Sequence, residues 1–467
     1  MTKKTKIICT IGPASAEVKT LEKMIKKGMD GARLNFSHGT YKEHGKLMEA
    51  VRQAAETTET HIPIIQDLSG FKLRIGVITG GSLNIEAEDK LILTTNPVLK
   101  TDQTEPVILV NHQDLVKDIK EKDQILIDDG KIRLTVIKKV KDYLIAQVVV
   151  GGELKSNKGI NIPDARLQIE AITEKDKQDL DFGLNHEVDY VALSYVRSAK
   201  DILNLRKIMA EKKKTASIIA KIETREALDN LEEIIKEADG VMVARGDLAV
   251  EVPAEEVPLI QKDLVNKCRA YGKPVIIATQ MLESMVESPT PTRAEVSDVA
   301  NAVFDGTDAV MLSGETALGD YPTEAVAIMS RILDKAESKD YQLQGFKNGS
   351  DSVNPKEAVT EAVVKIASDI KAKVIISTTY DGSTERLIAR HRPSVFTVSG
   401  SDDEGVCRRL NLSFGSIPLL IKDDSKSALE QIKDFCLKNE FIKKEDAFIV
   451  AQGTGSEESS GLYVEIV

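Results

Sequence analysis

Lys221 and Glu223 stand two residues apart in a β-rich run, so on a strand they share a face. A lysine and a carboxylate placed this way are either a plain ion pair or an ammonium group held beside a metal-binding oxygen. Asp247, in Arg245-Gly246-Asp247, is in the same way either a helix N-cap or a second metal carboxylate. Two carboxylates from neighbouring strands make an oxygen site suited to Mg2+, which binds through one or two carboxylates plus substrate oxygens. Arg33 could be a rim ion pair, but beside a metal and Lys221 it reads better as a phosphate ligand. Other polar residues fall at the ends of β-rich runs: Asn35, Ser37 and His38, then Asp67, Ser194, Thr279 with Gln280, and Ser313 with Glu315. Singly each is weak; Thr279 alone would be an ordinary strand-end cap. As a set they point to one polar mouth that takes a phosphate-bearing substrate and a divalent cation.

The elements that must position them follow from periodicity. Strands are expected over 6–11, 30–36 and 61–68, with helices over 16–27 and 41–58; Val18, Leu21, Met24 and Ile25 recur at helical spacing. From about 72 to 163 the text turns to strands and turns, including Asp128-Asp129-Gly130. The strand–helix alternation then resumes, with strands over 190–196, 217–223, 241–245, 274–279 and 309–312. Together these make about eight βα units, the number that closes a parallel barrel whose active site lies at the C-terminal strand ends. A polar stretch over 337–354 reads as a linker, and a second α/β pattern follows, with strands near 374–378, 395–398, 417–421 and 448–451. The expected fold class is α/β: a (β/α)8 barrel from 1–71 and 168–336, an inserted β-rich domain over 72–167, and a C-terminal α/β domain over 337–467.

Composition sets limits on function. Hydrophobic residues are 42% and charged residues 29% of the 467, which suits a multidomain globular protein. A net charge of -11 and the lack of Trp argue against nucleic acid as a partner. Cys9, Cys268, Cys407 and Cys436 show no metal or disulfide spacing and read as free thiols in a reducing compartment. No signal peptide or roughly 18-residue apolar span is visible, so the expectation is a cytoplasmic protein without a membrane partner.

Several segments resemble the signatures of the pyruvate kinase family. They are Ala32-Arg33-Leu34-Asn35-Phe36-Ser37-His38-Gly39, Ala220-Lys221-Ile222-Glu223, and Val243-Ala244-Arg245-Gly246-Asp247-Leu248. Ala278-Thr279-Gln280-Met281-Leu282-Glu283-Ser284-Met285, Pro291-Thr292-Arg293-Ala294-Glu295 and Leu312-Ser313-Gly314-Glu315-Thr316-Ala317 continue the series in the family's order. The resemblance covers the whole chain and is closest in the barrel. It implies transfer of the phosphoryl group of phosphoenolpyruvate to ADP, giving pyruvate and ATP. Glu223 and Asp247 would hold Mg2+ or Mn2+; Arg33 and Lys221 would hold the phosphoryl group, with Lys221 also on the enolate oxygen. The amides of Gly246 and Asp247, with Thr279, would hold the carboxylate, and Thr279 would belong to the proton path. Asn35, His38, Arg74 and Lys158 match positions near the nucleotide, the inserted domain becomes a lid, and the chain would form a homotetramer.

Two departures matter. Asn35, Ser37, Asp67 and the carbonyl of Leu68 match the family's monovalent-cation ligands, yet Lys72 replaces the Glu of K+-requiring members. A tethered ammonium there implies that K+ is not required. Phe71 replaces a Pro at the hinge. The effector phosphate loop reads Thr379-Tyr380-Asp381-Gly382-Ser383-Thr384, with an added carboxylate, and the loop over 452–461 carries Glu457 and Glu458 but no Lys or Arg. Activation by fructose 1,6-bisphosphate is therefore expected to be weak or absent. No appended phosphohistidine-like domain is expected after Val467. Two other readings remain: a metal-dependent lyase or aldolase acting on pyruvate enolate, and a catalytically silent metabolite sensor. The first has no need of Lys221 or a nucleotide lid, and the second would be marked by loss of residues that are all present.

Overall fold

The structure, a computed structural model, describes residues 3–99, 103–112, 114–163, 165, 170–338, 355–423, 425–453 and 460–466. Eight parallel strands close into a barrel. In chain order they are Lys6–Thr10, Gly31–Asn35, Ile64–Asp67, Tyr190–Leu193, Ser217–Ile222, Gly240–Ala244, Val275–Ala278 and Ala309–Leu312. Each pairs with its sequence neighbour among these, and the last pairs with the first.

Burial on both faces explains the near-continuous Val/Ile/Leu text of these strands. Side chains with one parity face the surrounding helices; the other parity fills the barrel. Ile8, Ile65, Ala192, Ile219, Met242, Ile276 and Met311 form that inner layer, and Leu412 of the C-terminal domain closes it from below. Each such Ile or Met, fully withdrawn from water, contributes about 2 kcal/mol. Because a strand alternates with period two, the residue two beyond each inner-layer position also points inward, one step nearer the mouth. Those residues are Thr10, Asp67, Ser194, Lys221, Ala244, Ala278 and Ser313, and Arg33 takes the same place above Gly31. The polar mouth is thus the next storey of the barrel core.

The helices start where local chemistry favours it. Tyr41–Thr57 and Arg293–Asp305 each open on a capping box, Thr40 with Glu43 and Thr292 with Glu295, and the second stops at left-handed Gly306. This gives the Pro291-Thr292-Arg293-Ala294-Glu295 segment a scaffolding role, since Glu295 also accepts hydrogen bonds from the backbone and hydroxyl of Ser284 at 2.7 and 2.6 Å.

The insert after the third barrel strand has its own core around Leu91, Leu93, Ile125, Leu134 and Leu144. A six-stranded sheet and a two-stranded sheet build it. The strands Gln124–Ile127 and Ile132–Lys139 join through Asp128, Asp129 and Gly130, all left-handed, at φ 52°, 56° and 82°. The expected linker must begin later than 337, because the helix Pro322–Glu337 runs through Glu337; residues 339–354 lie outside the described residues. The C-terminal sheet has five strands rather than the four expected, Ser460–Ile466 pairing antiparallel with Ala447–Gly453. The buried ion pair Arg392–Asp308 and the partly buried pair Arg408–Asp189, each at 2.7 Å, fasten this domain beneath the barrel. No helix among the described residues is long and apolar enough to cross a membrane.

Candidate active site

Lys221 occupies the centre of the mouth and is almost fully buried. Its ammonium group donates to Ser194 Oγ at 2.7 Å and lies 3.2 Å from Asp67 Oδ1 and 2.9 Å from Glu223 Oε1. Burial would strip the proton from this amine, but Asp67 and Glu223 outweigh it and hold the pKa well above the ordinary lysine range. Asp67 shows the converse: burial works to raise its pKa, while Lys221 and Arg33 hold it below the usual carboxylate value. Arg33 grips the other carboxylate oxygen, with Nε at 2.8 Å and an Nη nitrogen at 2.7 Å, and donates to Thr10 Oγ1 at 3.1 Å. Two cations are thereby fixed side by side around one aspartate.

Glu223 is 1% exposed and accepts the Tyr195 amide at 2.8 Å. Burial, with the nearby Asp247 charge, pushes its pKa up, against the pull of Lys221. Its backbone donor comes from a strained place, since Tyr195 is left-handed at φ 54°. Asp247 is not an N-cap: it lies in the first turn of the helix Arg245–Glu251, whose N-cap is Ala244. Glu223 and Asp247 both line a cleft of about 510 Å³ that also holds Arg33, Asp67 and Lys221. Two hard oxygen donors that repel one another and open onto the same space fit a divalent cation, which would relieve the repulsion and leave positions for substrate oxygens.

Lys72 joins this cleft with its ammonium 3.3 Å from Asp247 Oδ1, both side chains about a third exposed. It contacts Asp247, one of the two carboxylates expected to hold the metal, rather than the expected monovalent-cation set. Within that set, Asn35 Oδ1 accepts the Ser37 amide at 3.1 Å, and the Leu68 carbonyl accepts Ser194 Oγ at 2.8 Å. A Cβ on Gly159 would lie 2.8 Å from Lys72 Cε, so the glycine of Asn157-Lys158-Gly159 leaves the passage Lys72 uses.

The nucleotide-side residues are only partly assembled. Asn35, His38 and Arg74 line the cleft; Lys158 instead pairs with Asp128 across the insert at 2.7 Å. Arg74 donates to the Asn157 carbonyl at 2.9 Å and bridges to Gly159, fixing the hinge. Lys175, unremarked in the sequence, lines the cleft and donates to the Phe36 carbonyl at 2.8 Å.

Thr279 sits where the seventh strand turns out of the barrel. Its hydroxyl donates to the Ala278 carbonyl at 2.6 Å and accepts the Gly246 amide at 2.9 Å, so the two groups expected to share a carboxylate are here joined to each other. Glu315 does not serve the mouth: it is buried and accepts the amides of Ser313 and Leu282 at 2.7 and 3.0 Å. Thr10 was missed by the sequence reading; its signal was the period of two beyond Ile8.

The fold and site define a barrel protein whose strand ends gather paired cations beside two carboxylates suited to a divalent metal. A family model described as pyruvate kinase, barrel domain, matches residues 2–326, and one described as pyruvate kinase, alpha/beta domain, matches 357–462. The pyruvate kinase of Thermococcus litoralis is 42% identical over 96% of this chain and 95% of its own length. That of Bacillus licheniformis is 40% identical over 97% of this chain and 78% of its own. The crystal structure of a pyruvate kinase from Cryptosporidium parvum superposes with a TM-score of 0.94 at 34% identity, covering 100% of this chain and 96% of that one. The chain belongs to the pyruvate kinase family. It is an enzyme of that family, transferring the phosphoryl group of phosphoenolpyruvate to ADP, and the family works with a divalent metal.

Proposed function

We propose that Lys221, Arg33, Glu223, Asp247 and Thr279 carry this reaction at the barrel mouth. The observation that supports it best is the buried, charged Lys221 held between Asp67, Ser194 and Glu223. Arg33 and Lys221 receive the phosphoryl group, and their positive charge offsets the charge on its oxygens as it moves. The P–O bond to the enol oxygen breaks, a P–O bond to the terminal phosphate of ADP forms, and Lys221 faces the enolate oxygen left behind. Glu223 and Asp247 hold Mg2+ or Mn2+, which when bound acts as a Lewis acid and template for the substrate oxygens. The substrate carboxylate displaces Thr279 from the Gly246 amide; the freed hydroxyl then lies on the route by which a proton reaches the methylene carbon. Asn35 and His38 flank the nucleotide.

The division into a barrel (1–71 and 168–336), a lid (72–167) and a C-terminal domain (337–467) belongs to the same proposal; its boundary at 167 falls outside the described residues, and that at 337 falls on the last residue of the helix Pro322–Glu337. The lid brings Arg74 and Lys158 to the phosphates, Lys158 leaving Asp128, and excludes water. Lys72, though paired with Asp247 and not seated among Asn35, Ser37, Asp67 and Leu68, brings its positive charge to the same cleft, and on this reading K+ is not required. The enzyme is proposed to be cytoplasmic and a homotetramer. The test is the initial rate of pyruvate formation from phosphoenolpyruvate, ADP and Mg2+ for the unmodified enzyme and Lys221→Met. Loss of about a thousandfold or more in the variant, with folding intact, is expected. A rate within about tenfold of the unmodified enzyme would overturn the role given to Lys221.

A further inference from the structure

Arg245 is 8% exposed and directly precedes Gly246, yet its side chain turns away from the cleft. One terminal nitrogen donates to the Thr279 carbonyl at 2.7 Å, the Gln280 carbonyl at 3.3 Å and the Met281 sulfur at 2.8 Å. The other forms an ion pair with Asp298, at 2.8 and 2.7 Å from its two oxygens. Both residues whose carbonyls it collects are strained. Thr279 and Gln280 are consecutive, non-glycine and left-handed, at φ 68° and 55°, a conformation that persists only where surroundings impose it.

Three residues on, the same segment is held by Glu315 on the Leu282 amide at 3.0 Å. The stretch from Thr279 to Leu282 is therefore held by two buried ionisable side chains. Of these, Arg245 is the one joined covalently to the carboxylate-binding amide.

We infer that Arg245 is a positioning residue for the substrate carboxylate: by clamping the Thr279 and Gln280 carbonyls against its own backbone, it makes the Gly246 amide, Asp247 and the Thr279 hydroxyl a single rigid unit. Asp298, on the helix Arg293–Asp305, sets the guanidinium's direction. The inference rests on the site reading above, and deepens it. A planar guanidinium spans carbonyls and carboxylate at once; an ammonium on a lysine stem reaches one side only.

The test compares Arg245→Met, Arg245→Lys and Asp298→Asn with the unmodified enzyme. The readouts are kcat, KM for phosphoenolpyruvate, KM for ADP, melting temperature, and calorimetric binding of phosphoenolpyruvate in Mg2+. Arg245→Met is expected to weaken phosphoenolpyruvate binding and raise its KM at least about tenfold, with KM for ADP within about twofold. Arg245→Lys is expected to recover part of that loss, and Asp298→Asn to fall between. A purely structural role would lower the melting temperature and degrade both substrates alike, and that pattern overturns the inference. So does unchanged phosphoenolpyruvate binding in Arg245→Met. Lack of both turnover and binding in the unmodified enzyme would instead sink the site reading, and this inference with it.

Discussion

Replacing Lys72 by Glu reverses a charge 3.3 Å from Asp247, in a place where both side chains are about 30% exposed. Two unit charges near this separation interact by about 1 kcal/mol in bulk water and about 4 kcal/mol at an effective dielectric of about 20. Partial exposure puts the pair between these limits, at about 2 kcal/mol. Lys72→Met removes that offset to the Asp247 charge, so an anionic substrate should bind about 30-fold more weakly. Lys72→Glu doubles the change to about 4 kcal/mol, near a thousandfold. If Asp247 holds the metal as proposed, Lys72 competes with it there, so Mg2+ affinity should hold or tighten in both variants. The assay is KM for phosphoenolpyruvate and activation by Mg2+ in a tetramethylammonium buffer, repeated with K+ at equal ionic strength. The unmodified enzyme is expected to turn over without K+ and to gain little from it, while Lys72→Glu should regain most of its loss when K+ is added. A K+ requirement in the unmodified enzyme, or a Lys72→Glu enzyme indifferent to K+, would refute the reasoning.

Glu385 is fully buried on the C-terminal domain, where burial pushes its pKa up to about 7 against the pull of Ser399, Ser377 and Lys6. Its folded pKa exceeds the ordinary 4.5, so the folded state holds a proton that the unfolded state loses, and stability falls as pH rises from about 5 through 7. The shift corresponds to about 3 kcal/mol lost once the pH passes 7. Glu385→Gln should melt higher than the unmodified enzyme at pH 8 and lose the slope between pH 5.5 and 8, which thermal unfolding monitored by circular dichroism would read; equal slopes would count against it. In the loop over 379–384, Asp381 Oδ1 accepts the Ser383 amide and hydroxyl at 2.9 and 2.6 Å, and Thr379 Oγ1 accepts the Gly382 amide at 3.0 Å. Donors a phosphate would need are already engaged, by the Asp381 carboxylate and the Thr379 hydroxyl, so fructose 1,6-bisphosphate up to about 1 mM should leave the rate unchanged. Activation at micromolar concentration would contradict this.

Much of the molecule was legible because two periodicities survive in the text. The run Ser217–Ile222 reads as a buried strand, and once Ile219 is an inner-layer residue Lys221 must face inward too. The same rule carries Arg33 and Asp67 to the mouth, and it would have supplied Thr10. What the text hides is backbone handedness and long-range hydrogen bonding. Nothing local says that Thr279 and Gln280 turn left-handed, or that Arg245 holds them there. Glu315 looked like a mouth residue because it follows the eighth strand, but its carboxylate is spent on two backbone amides. The Glu457 and Glu458 expectation lies outside the described residues. Lys158 depends on where the insert stands relative to the barrel, and its partner Asp128 belongs to the insert itself.

The continuity between core and site has a consequence for how this enzyme tolerates change. Lys221, Asp67 and Arg33 are stacked directly on Ile219, Ile65 and Gly31, with no loop in between to absorb a shift. A slip of one residue in any of these strands would exchange the inward and outward sets, sending Lys221 out among the helices and Ala220 or Ile222 into the mouth. Register in this barrel is therefore fixed twice, by the apolar layer below and by the ionic cluster above. The cluster satisfies its buried charges only in that register: Asp67 meets both Arg33 and Lys221, and Lys221 meets both Asp67 and Glu223. Removing Lys221 leaves Glu223 buried without its ion pair while Asp67 keeps Arg33, and breaking a buried pair costs several kcal/mol in a typical protein. The buried cations thus help define the fold that positions them, and the stability lost on replacing Lys221 must be measured beside the rate before the rate is read as chemistry.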